Sequence, residues 1–530
     1  MKAGVESRNM LKRKIDRKLE AWLRDWQERS GPNVLMIEGI RGIGKSTSVR
    51  AFAEAHFEEV IWLDFREDPN AKKIIGSYSD IEYANYVLMA GYGTKMEEGK
   101  TIIVFDNIDY LGSVTIWSTL LLYLKDGRYP VIAISGEDVL QKQSARPASI
   151  DPDTGRRTRA KNTNQTESLS DPAVAAADAE GNGQTEPAAE IADQIPRTQQ
   201  RITAKYIDDL RLTGEMIAPS EAEAELAAQI PVMKMQAMDF EEFLWAKGIS
   251  EEQIDTVRNC YHKVKAVPEN LHQIMMNMMC IYMLIGGLPE VVQGHIDRMT
   301  PMRSREIQQK YHQDVCAMID EKFTKANSRN LIGILDSIPE HFQADPHNHK
   351  FQLKRVELGG TNRKFERCIR WLESAGYIHK CINLTVPVIR DDTRIDSQYA
   401  AYLPDIGWYV SRLPERMQFE ILRGDLKKND YAVLNCLIAD FMIKAGQDMY
   451  YYHRRSGLTI DFLILDPEHE TASILIEVAH YGNSKAVRTL LDTEPGASVS
   501  RAIVFTQGNV QTDGRRQLLP WYMGYFIFEK

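Results

Sequence analysis

A glycine-rich run early in the sequence limits the possible folds of this chain more than any other feature. The run reads Gly39-Ile40-Arg41-Gly42-Ile43-Gly44-Lys45-Ser46-Thr47 and fits the motif G-x-x-x-x-G-K-[ST] without a gap. An apolar stretch at 34–37 precedes it and a helical pattern follows it, which is the strand, loop and helix order that the motif requires. This order argues against a chance glycine-rich turn. We therefore expect a phosphate-binding loop at 39–47.

The residue types in this run suit the binding of phosphate groups. Glycine can adopt positive φ angles, so successive N–H groups can converge on phosphate oxygens, and the helix N-terminus adds partial positive charge. Lys45 would reach the β and γ phosphates, and the hydroxyl of Ser46 can ligate Mg²⁺. ATP and Mg²⁺ are therefore the expected ligands.

Polar residues follow two further apolar runs, at 101–106 and 131–135. Asp106 lies where a carboxylate can hold the Mg²⁺ water shell opposite Ser46. Ser135 either offers a hydroxyl to the γ-phosphate or the attacking water, or is simply a turn residue. The runs alternate with helical patterns, so we predict an α/β fold in which helices cover both faces of a parallel sheet.

Asn107 stands where P-loop ATPases that hydrolyse quickly generally carry a carboxylate. An amide can position water but cannot take its proton. We therefore predict slow hydrolysis, with Lys45, Asp106, Asn107 and Ser135 as the candidate catalytic residues. Asp109 is a competing source of the carboxylate, if the end of the strand bends.

Composition bounds the class of protein. The 530 residues suggest about three domains at a prior of roughly 150 residues each. No run approaches the roughly 20 apolar residues that span a bilayer, and the N-terminus lacks an apolar signal core, so we expect no membrane contact and a cytoplasmic location. The net charge of −9 argues against non-specific nucleic-acid binding by the whole surface.

Two segments flank the predicted core in distinctive ways. Residues 9–26 form an apolar helical stripe, with Lys12, Arg13, Lys14, Arg17 and Lys18 predicted on the opposite, solvated side. Residues 141–228 are rich in small and polar residues, so they cannot bury enough apolar surface to fold alone. We predict a P-loop core with a leading helix at 1–140, a disordered insertion at 141–228, and a helical remainder of the same module at 229–340.

Four motifs in the second half of the chain occur in the order known from one family. They are Phe240-Glu241-Glu242-Phe243-Leu244, which Asp239 is placed to cap, Gly286-Gly287-Leu288-Pro289-Glu290-Val291-Val292, Tyr402-Leu403-Pro404-Asp405-Ile406-Gly407, and Ile460-Asp461-Phe462-Leu463-Ile464. With the G-x-R opening of the phosphate loop, the chain resembles bacterial and archaeal ATP-binding proteins that join an AAA-type P-loop ATPase domain to a C-terminal domain of unknown function. The resemblance covers nearly the whole chain apart from the insertion.

The resemblance implies a winged-helix-like domain at 341–416. Its predicted helix at 361–375 carries a basic face formed by Arg363, Lys364, Arg367 and Arg370. This face could contact DNA, or it could be a solvated helix face diluted by Glu366 and Glu373.

The resemblance also implies a restriction-endonuclease-like domain at 417–530. Asp461 and Glu477 occupy two of the metal-binding positions of such nucleases. Ala479 replaces the usual lysine, and Lys485 lies six residues beyond it. We therefore expect an inactive remnant.

Three functions remain open from the sequence. The leading hypothesis is an ATP- and Mg²⁺-binding ATPase, slow in hydrolysis, whose nucleotide state regulates the arrangement of the other domains. The second is a DNA-associated or DNA-cleaving protein gated by the ATPase domain. The third is an interaction scaffold that binds nucleotide only for stability. The sequence indicates neither a particular protein partner nor an oligomeric state.

Overall fold

The computed structural model describes residues 10–75, 80–111, 113–136, 228–297, 300–344, 350–386, 394–426, 431–453, 459–465, 472–478, 487, 491–492 and 499–529. The predicted insertion lies outside these ranges except for residue 228. Ala479 and Lys485, which bear on the predicted nuclease site, lie outside them as well.

The first sheet contains five strands, which are β1 Val34–Glu38, β2 Glu59–Asp64, β3 Thr101–Asp106, β4 Val131–Ser135 and β5 Val232–Lys234. All their pairings are parallel, in the order β2-β3-β4-β1-β5. β1, β3 and β4 are buried along their whole length, as expected when helices cover both faces. The predicted parallel sheet is confirmed. β5 is not predicted by the sequence pattern, and it pairs with β1 from beyond the segment 137–227.

Five helices accompany this sheet, which are α1 Lys14–Gln27, α2 Lys45–His56, α3 Pro69–Ile74, α4 Ile81–Tyr92 and α5 Ser113–Asp126. The leading helix, predicted over 9–26, begins at Lys14 and buries its apolar stripe. The prediction of an exposed Arg13 is wrong, because its side chain is only 5% exposed. Arg13 precedes the first helical residue, so helical periodicity does not set the direction of its side chain.

Six helices follow β5, which are α6 Phe240–Ala246, α7 Glu251–His262, α8 Glu269–Ile285, α9 Pro289–Ile296, α10 Pro301–Lys322 and α11 Lys325–Ala344. The predicted cap of α6 is confirmed, because the Asp239 carboxylate accepts a hydrogen bond of 2.9 Å from the backbone N–H of Glu242. The Glu242 carboxylate in turn accepts one of 3.1 Å from the N–H of Asp239. Among the described residues, no helix combines the length and apolar character needed to cross a membrane.

Among the described residues, the remaining α-helices and strands number five and eight. The helices are α12 Asn362–Ser374, α13 Ile406–Ser411, α14 Glu415–Leu422, α15 Tyr431–Lys444 and α16 Gly524–Ile527. The strands are β6 His379–Leu384, β7 Arg394–Tyr402, β8 Met449–His453, β9 Thr459–Leu465, β10 Ala472–Glu477, β11 Arg501–Thr506, β12 Gln511–Asp513 and β13 Arg516–Pro520.

These eight strands form one mixed sheet in the order β12-β13-β11-β10-β9-β8-β6-β7. β6 pairs antiparallel with β7 and parallel with β8, so strands from both sides of the predicted boundary at 416/417 share the sheet. The antiparallel β6–β7 pair, which lies within the predicted winged-helix-like domain, thus forms one edge of a larger sheet. The restriction-endonuclease-like assignment of 417–530 stays a prediction.

A buried ionic network joins the helices beside the first sheet to the second sheet. The Asp405 side chain is fully buried, and Oδ2 accepts hydrogen bonds from the backbone N–H of Gly287 at 2.6 Å and from Lys444 Nζ at 3.1 Å. Lys444 Nζ also lies 2.8 Å from Asp440 Oδ1 and donates to the Tyr282 hydroxyl at 2.7 Å. The Tyr282 hydroxyl donates to Asp440 Oδ2 at 2.9 Å.

Two carboxylates therefore share one ammonium group in this network. Burial raises the pKa of Asp440 to about 6, Lys444 opposes that shift, and the nearby Asp405 adds to it. Burial disfavours the charge on Lys444, but Asp440 and Asp405 outweigh it and raise the pKa of this lysine. Removing one partner of a buried pair leaves uncompensated charge, which typically costs about 3–5 kcal/mol. The network is therefore sensitive to loss of Lys444.

We predict that Lys444→Met lowers the thermal unfolding midpoint strongly at pH 8 and less at pH 5. Without the ammonium, the folded-state pKa of Asp440 rises further, and it is about 6 even with Lys444 present. A carboxyl group whose pKa is raised in the folded state contributes its full stabilisation below its unfolded-state pKa, near 4. That contribution is lost as the pH rises through the folded-state pKa. Lys325→Met, at an exposed lysine, is the control. Equal midpoints for the two variants, or a larger loss at pH 5, would contradict the prediction.

Candidate functional site

The predicted phosphate loop connects the carboxyl end of β1 to the first residue of α2. Gly39, Gly42 and Gly44 all have positive φ angles, of 155°, 80° and 89°. A Cβ atom on Gly39 would lie 2.3 Å from the backbone oxygen of Met235, so this position has no room for a side chain. Gly44 caps α2 in the left-handed conformation. The loop therefore has the backbone shape that the glycine pattern predicts.

Lys45 curls back over this loop. Its Nζ donates hydrogen bonds to the backbone oxygens of Gly39 at 2.7 Å and Ile40 at 2.8 Å. Burial lowers the pKa of Lys45 to about 8, although Asp109 and Asp106 act in the opposite direction. A bound phosphate would supply further negative charge and favour the protonated lysine.

Ser46 and Asp106 lie together at the start of α2 and the end of β3. The Ser46 hydroxyl lies close to the Asp106 carboxylate, which is 3% exposed. Burial raises the pKa of Asp106, and the interaction with Ser46 opposes that shift. An adjacent hydroxyl and carboxylate are oxygen ligands of the kind that Mg²⁺ prefers, so these two residues fit the predicted metal site.

Asn107 has a left-handed backbone, with φ of 56°. Its Nδ2 donates to Asp64 Oδ1 at 2.9 Å, and its backbone N–H donates to Asp106 Oδ1 at 2.9 Å. Asp64 ends β2 directly opposite Asp106 in the sheet register. Asp64 is absent from the predicted site, although it follows an apolar strand in the same way as Asp106. That pattern could have identified it.

Asp109 forms a buried ion pair across the site with Lys322, the last residue of α10. Asp109 Oδ2 lies 2.5 Å from Lys322 Nζ, and Oδ1 accepts a hydrogen bond of 2.9 Å from the N–H of Gly136. Burial alone would raise the pKa of Asp109, but Lys322, the Gly136 N–H and Lys45 outweigh it and lower the pKa. Lys322 is absent from the predicted site, because no local motif marks it.

A cavity of about 960 Å³ connects these groups. Its lining residues from the first part of the chain are Met10, Leu11, Arg13, Arg41, Gly42, Gly44, Lys45, Ser46, Thr47, Ser48, Arg50, Asp64, Arg66, Glu67, Asp106, Asn107, Asp109, Tyr110 and Gly136. The later part contributes Pro289, Glu290, Gln293, Gly294, Asp297, Ile307, Met318, Lys322 and Tyr377. Ser135 is fully buried behind this lining, so Gly136, and not Ser135, faces the cavity. The predicted catalytic role of Ser135 stays a prediction.

Two side chains from distant parts of the sequence support the loop. The guanidinium of Arg13 donates from Nη1 to the backbone oxygen of Ile43 and from Nη2 to that of Gln236, both at 2.8 Å. The Tyr311 hydroxyl, on α10, donates to the backbone oxygen of Arg41 at 3.0 Å. The contacts to Ile43 and Arg41 fix loop carbonyls and leave the loop N–H groups for a ligand. Helical periodicity gives no signal for either role.

The predicted DNA-binding face on α12 contains cations that bind to glutamates of this chain. Lys364 pairs with Glu357, and Arg370 Nη2 lies 2.9 Å from Glu366 Oε1. These contacts give the DNA hypothesis no support.

The predicted nuclease residue Asp461 is used within the fold. Its Oδ2 accepts a hydrogen bond of 2.7 Å from the N–H of Val478, and its Oδ1 accepts one from the Tyr431 hydroxyl. Glu477 ends β10, the strand next to β9, which carries Asp461. Among the described residues, no group of three or more His, Cys, Asp or Glu side chains is arranged to hold a metal ion.

Comparison with known proteins supports the interpretation of the loop. Residues 31–148 match the model of a family described as an AAA domain. They form an AAA-type P-loop ATPase domain. Residues 278–416 match a separate family described as a domain of unknown function, DUF8612. The predicted combination of an AAA-type ATPase domain with a domain of unknown function is confirmed.

The chain was also compared with solved structures and with curated proteins. A Walker-type ATPase of Pyrococcus abyssi aligns with 76% of this chain and 96% of its own length, at 13% identity and a TM-score of 0.37. No curated protein matches the chain. The AAA-domain match ends at residue 148, so Lys322 and Tyr311 reach the cavity and the loop from outside that match, within the region 278–416 that matches the domain of unknown function.

We predict that Arg13→Met weakens nucleotide binding by about tenfold, because it removes the charge-assisted hydrogen bond to the Ile43 carbonyl of the loop together with the bond that anchors Arg13 to Gln236. The measurement is titration with a fluorescent ATP analogue at a temperature well below the unfolding midpoint of the variant. Lys12→Met is the control, since the Lys12 side chain is 51% exposed and pairs with the exposed Glu251. Equal affinities for the two variants would show that Arg13 does not support the loop.

Proposed function

We propose that this protein binds ATP with Mg²⁺ at the phosphate loop and hydrolyses it slowly, so that the bound nucleotide acts as a switch. One observation carries this proposal: the loop, Lys45 and the Ser46–Asp106 pair surround a single cavity at the carboxyl edge of the parallel sheet. Ligands of open α/β sheets bind at this edge. The AAA family match of residues 31–148 supports the same reading.

Different groups of the chain would bind the phosphates and the cation. Backbone N–H groups of the loop and the N-terminus of α2 hold the phosphate oxygens, and Lys45 neutralises part of their charge. Ser46 and Asp106 would hold Mg²⁺, which supplies electrostatic stabilisation of the phosphate oxygens. Lys45 exchanges its hydrogen bonds to Gly39 and Ile40 for bonds to phosphate.

Slow hydrolysis follows from how the carboxylates beside the cavity are engaged. Asp106 contacts Ser46, and Asp109 is paired with Lys322. Asp64 Oδ1 accepts hydrogen bonds from the N–H groups of Arg66 and Glu67 as well as from Asn107. The amide of Asn107 orients water without taking a proton. Each of these three aspartates thus has a binding or structural partner that competes with the role of general base.

The switch role rests on the elements that meet the loop from outside the ATPase match. Tyr311 holds the Arg41 carbonyl, and Pro289 Cγ lies 3.4 Å from the position of a Cβ on Gly44. Both residues lie within the region 278–416. A nucleotide-dependent change of the loop would therefore act directly on that region. A scaffold that uses nucleotide only for stability would bind ATP without turnover.

We predict that Asn107→Glu raises the turnover number by about tenfold or more, because it adds a group that can accept a proton from water. The matched control is Asn107→Gln. Glutamine has the same length as glutamate and meets the same left-handed backbone at position 107, but it carries no charge. Single-turnover release of phosphate measures the rate, and a fluorescent analogue measures affinity. Lys45→Ala abolishes binding in the same assay, because it removes the cation that faces the phosphates.

Fast hydrolysis by the unmodified protein would contradict the slow-switch proposal. If that activity disappears in Asp109→Asn or Asp64→Asn and does not increase in Asn107→Glu, the general base is the carboxylate that was replaced. No binding of ATP to the unmodified protein would remove the proposal altogether.

A further inference from the structure

The ion pair between Asp109 and Lys322 lines the same cavity as the phosphate loop. Lys322 Nζ is 2.5 Å from Asp109 Oδ2, and the two side chains are 9% and 4% exposed. Both residues line the cavity with Lys45, Ser46 and Asp106. Lys45 interacts electrostatically with both members of the pair. Lys45, which would reach the β and γ phosphates, therefore shares one cavity with this ion pair.

Lys322 is held firmly at this place. Its ammonium group lies 4.7 Å from the centre of the Tyr110 ring, which provides a cation–π contact beside the ion pair. The Asp109 carboxylate is fixed on its other side by the N–H of Gly136, which follows β4. The pair thus connects α10 to the ends of β3 and β4, next to the Ser46–Asp106 pair.

The helix that carries Lys322 touches the nucleotide site at two points. Tyr311 contacts the phosphate loop, and Lys322 lies eleven residues further along α10. At 1.5 Å per residue, these points are about 16 Å apart, so the helix extends along one wall of the cavity. Both residues lie in the region that matches the domain of unknown function.

We propose that Lys322 is the residue that distinguishes ATP from ADP, by exchanging its partner Asp109 for the terminal phosphate of ATP. This inference rests on the proposed function, since it requires a nucleotide at the phosphate loop. A terminal phosphate carries more negative charge than one carboxylate and can accept several hydrogen bonds, so it competes effectively for a buried ammonium. ADP lacks that phosphate and leaves the ion pair intact. Lys322 acts here as a positioning and specificity residue from the same chain. Because α10 belongs to the region 278–416, a displacement of Lys322 acts directly on that region.

The test compares the dissociation constants of ADP and of a non-hydrolysable ATP analogue, both with Mg²⁺. Lys322→Met weakens binding of the ATP analogue by about tenfold or more and changes ADP binding by no more than about twofold, because a charge-assisted contact is lost only for the third phosphate. Lys325→Met, three residues along and exposed, leaves both constants unchanged. Lys322→Arg keeps the cation and retains a preference for the ATP analogue.

Two further variants separate specificity from folding. Lys322→Met leaves the buried Asp109 without its cation, which destabilises the single variant independently of any nucleotide. The double variant Asp109→Asn with Lys322→Met removes both charges, and it also fails to distinguish the two nucleotides. Asp109→Asn alone binds the ATP analogue at least as tightly as the unmodified protein, because the competing carboxylate is gone.

Some outcomes would overturn the inference. Equal effects of Lys322→Met or of the double variant on both nucleotides would show that Lys322 only supports the fold. A loss of ATP-analogue affinity in Asp109→Asn would show that the ion pair is required intact. Failure of the unmodified protein to bind either nucleotide would refute the proposed function instead, so the two failures are distinguishable.

Discussion

The buried carboxylate of Asp405 is the contact on which the arrangement of the second half of the chain depends. It follows β7, accepts hydrogen bonds from the N–H of Gly287 and from Lys444, and caps α13 through the N–H of Trp408. Gly287 precedes α9, and Lys444 precedes β8, so one side chain joins a helix beside the phosphate loop to the second sheet. Because a buried charge is tolerated only when it is fully partnered, all these elements must be in place together.

Glycine at 287 is part of the same constraint. A Cβ atom there would lie 1.9 Å from the backbone oxygen of Met238, and the N–H of Met238 donates to the oxygen of Gly287 at 2.7 Å. The close approach brings the segment before α6 against the segment before α9. Three of the four motifs that carry the family resemblance, those around 240, 287 and 405, therefore meet at one place. These three motifs share a packing centre, and their presence does not by itself indicate a ligand site.

The charges around the cavity explain why a nucleotide would arrive with a divalent cation. Asp64, Asp106 and Asp109 line it together with Lys45 and Lys322, and the Asp109–Lys322 pair is already neutral. The rest of the lining contains five cations, Arg13, Arg41, Lys45, Arg50 and Arg66, and five carboxylates, Asp64, Glu67, Asp106, Glu290 and Asp297. These side-chain charges balance, so they leave no excess positive charge for a polyphosphate. Loop N–H groups offset part of its negative charge, and a cation held by Ser46 and Asp106 would offset much of the rest.

The sequence by itself determined those features that depend on neighbouring residues. Apolar runs specify β1, β3 and β4, the glycine spacing specifies the loop conformation, and Asp239 with Glu242 specifies the start of α6. Tertiary structure alone decided which distant groups complete the site. Lys322 meets Asp109 across 213 residues, and Arg13 reaches Gln236 across 223. Periodicity reports only which face of an element is buried, and it carries no information about which buried groups meet, because that is set by how the elements pack.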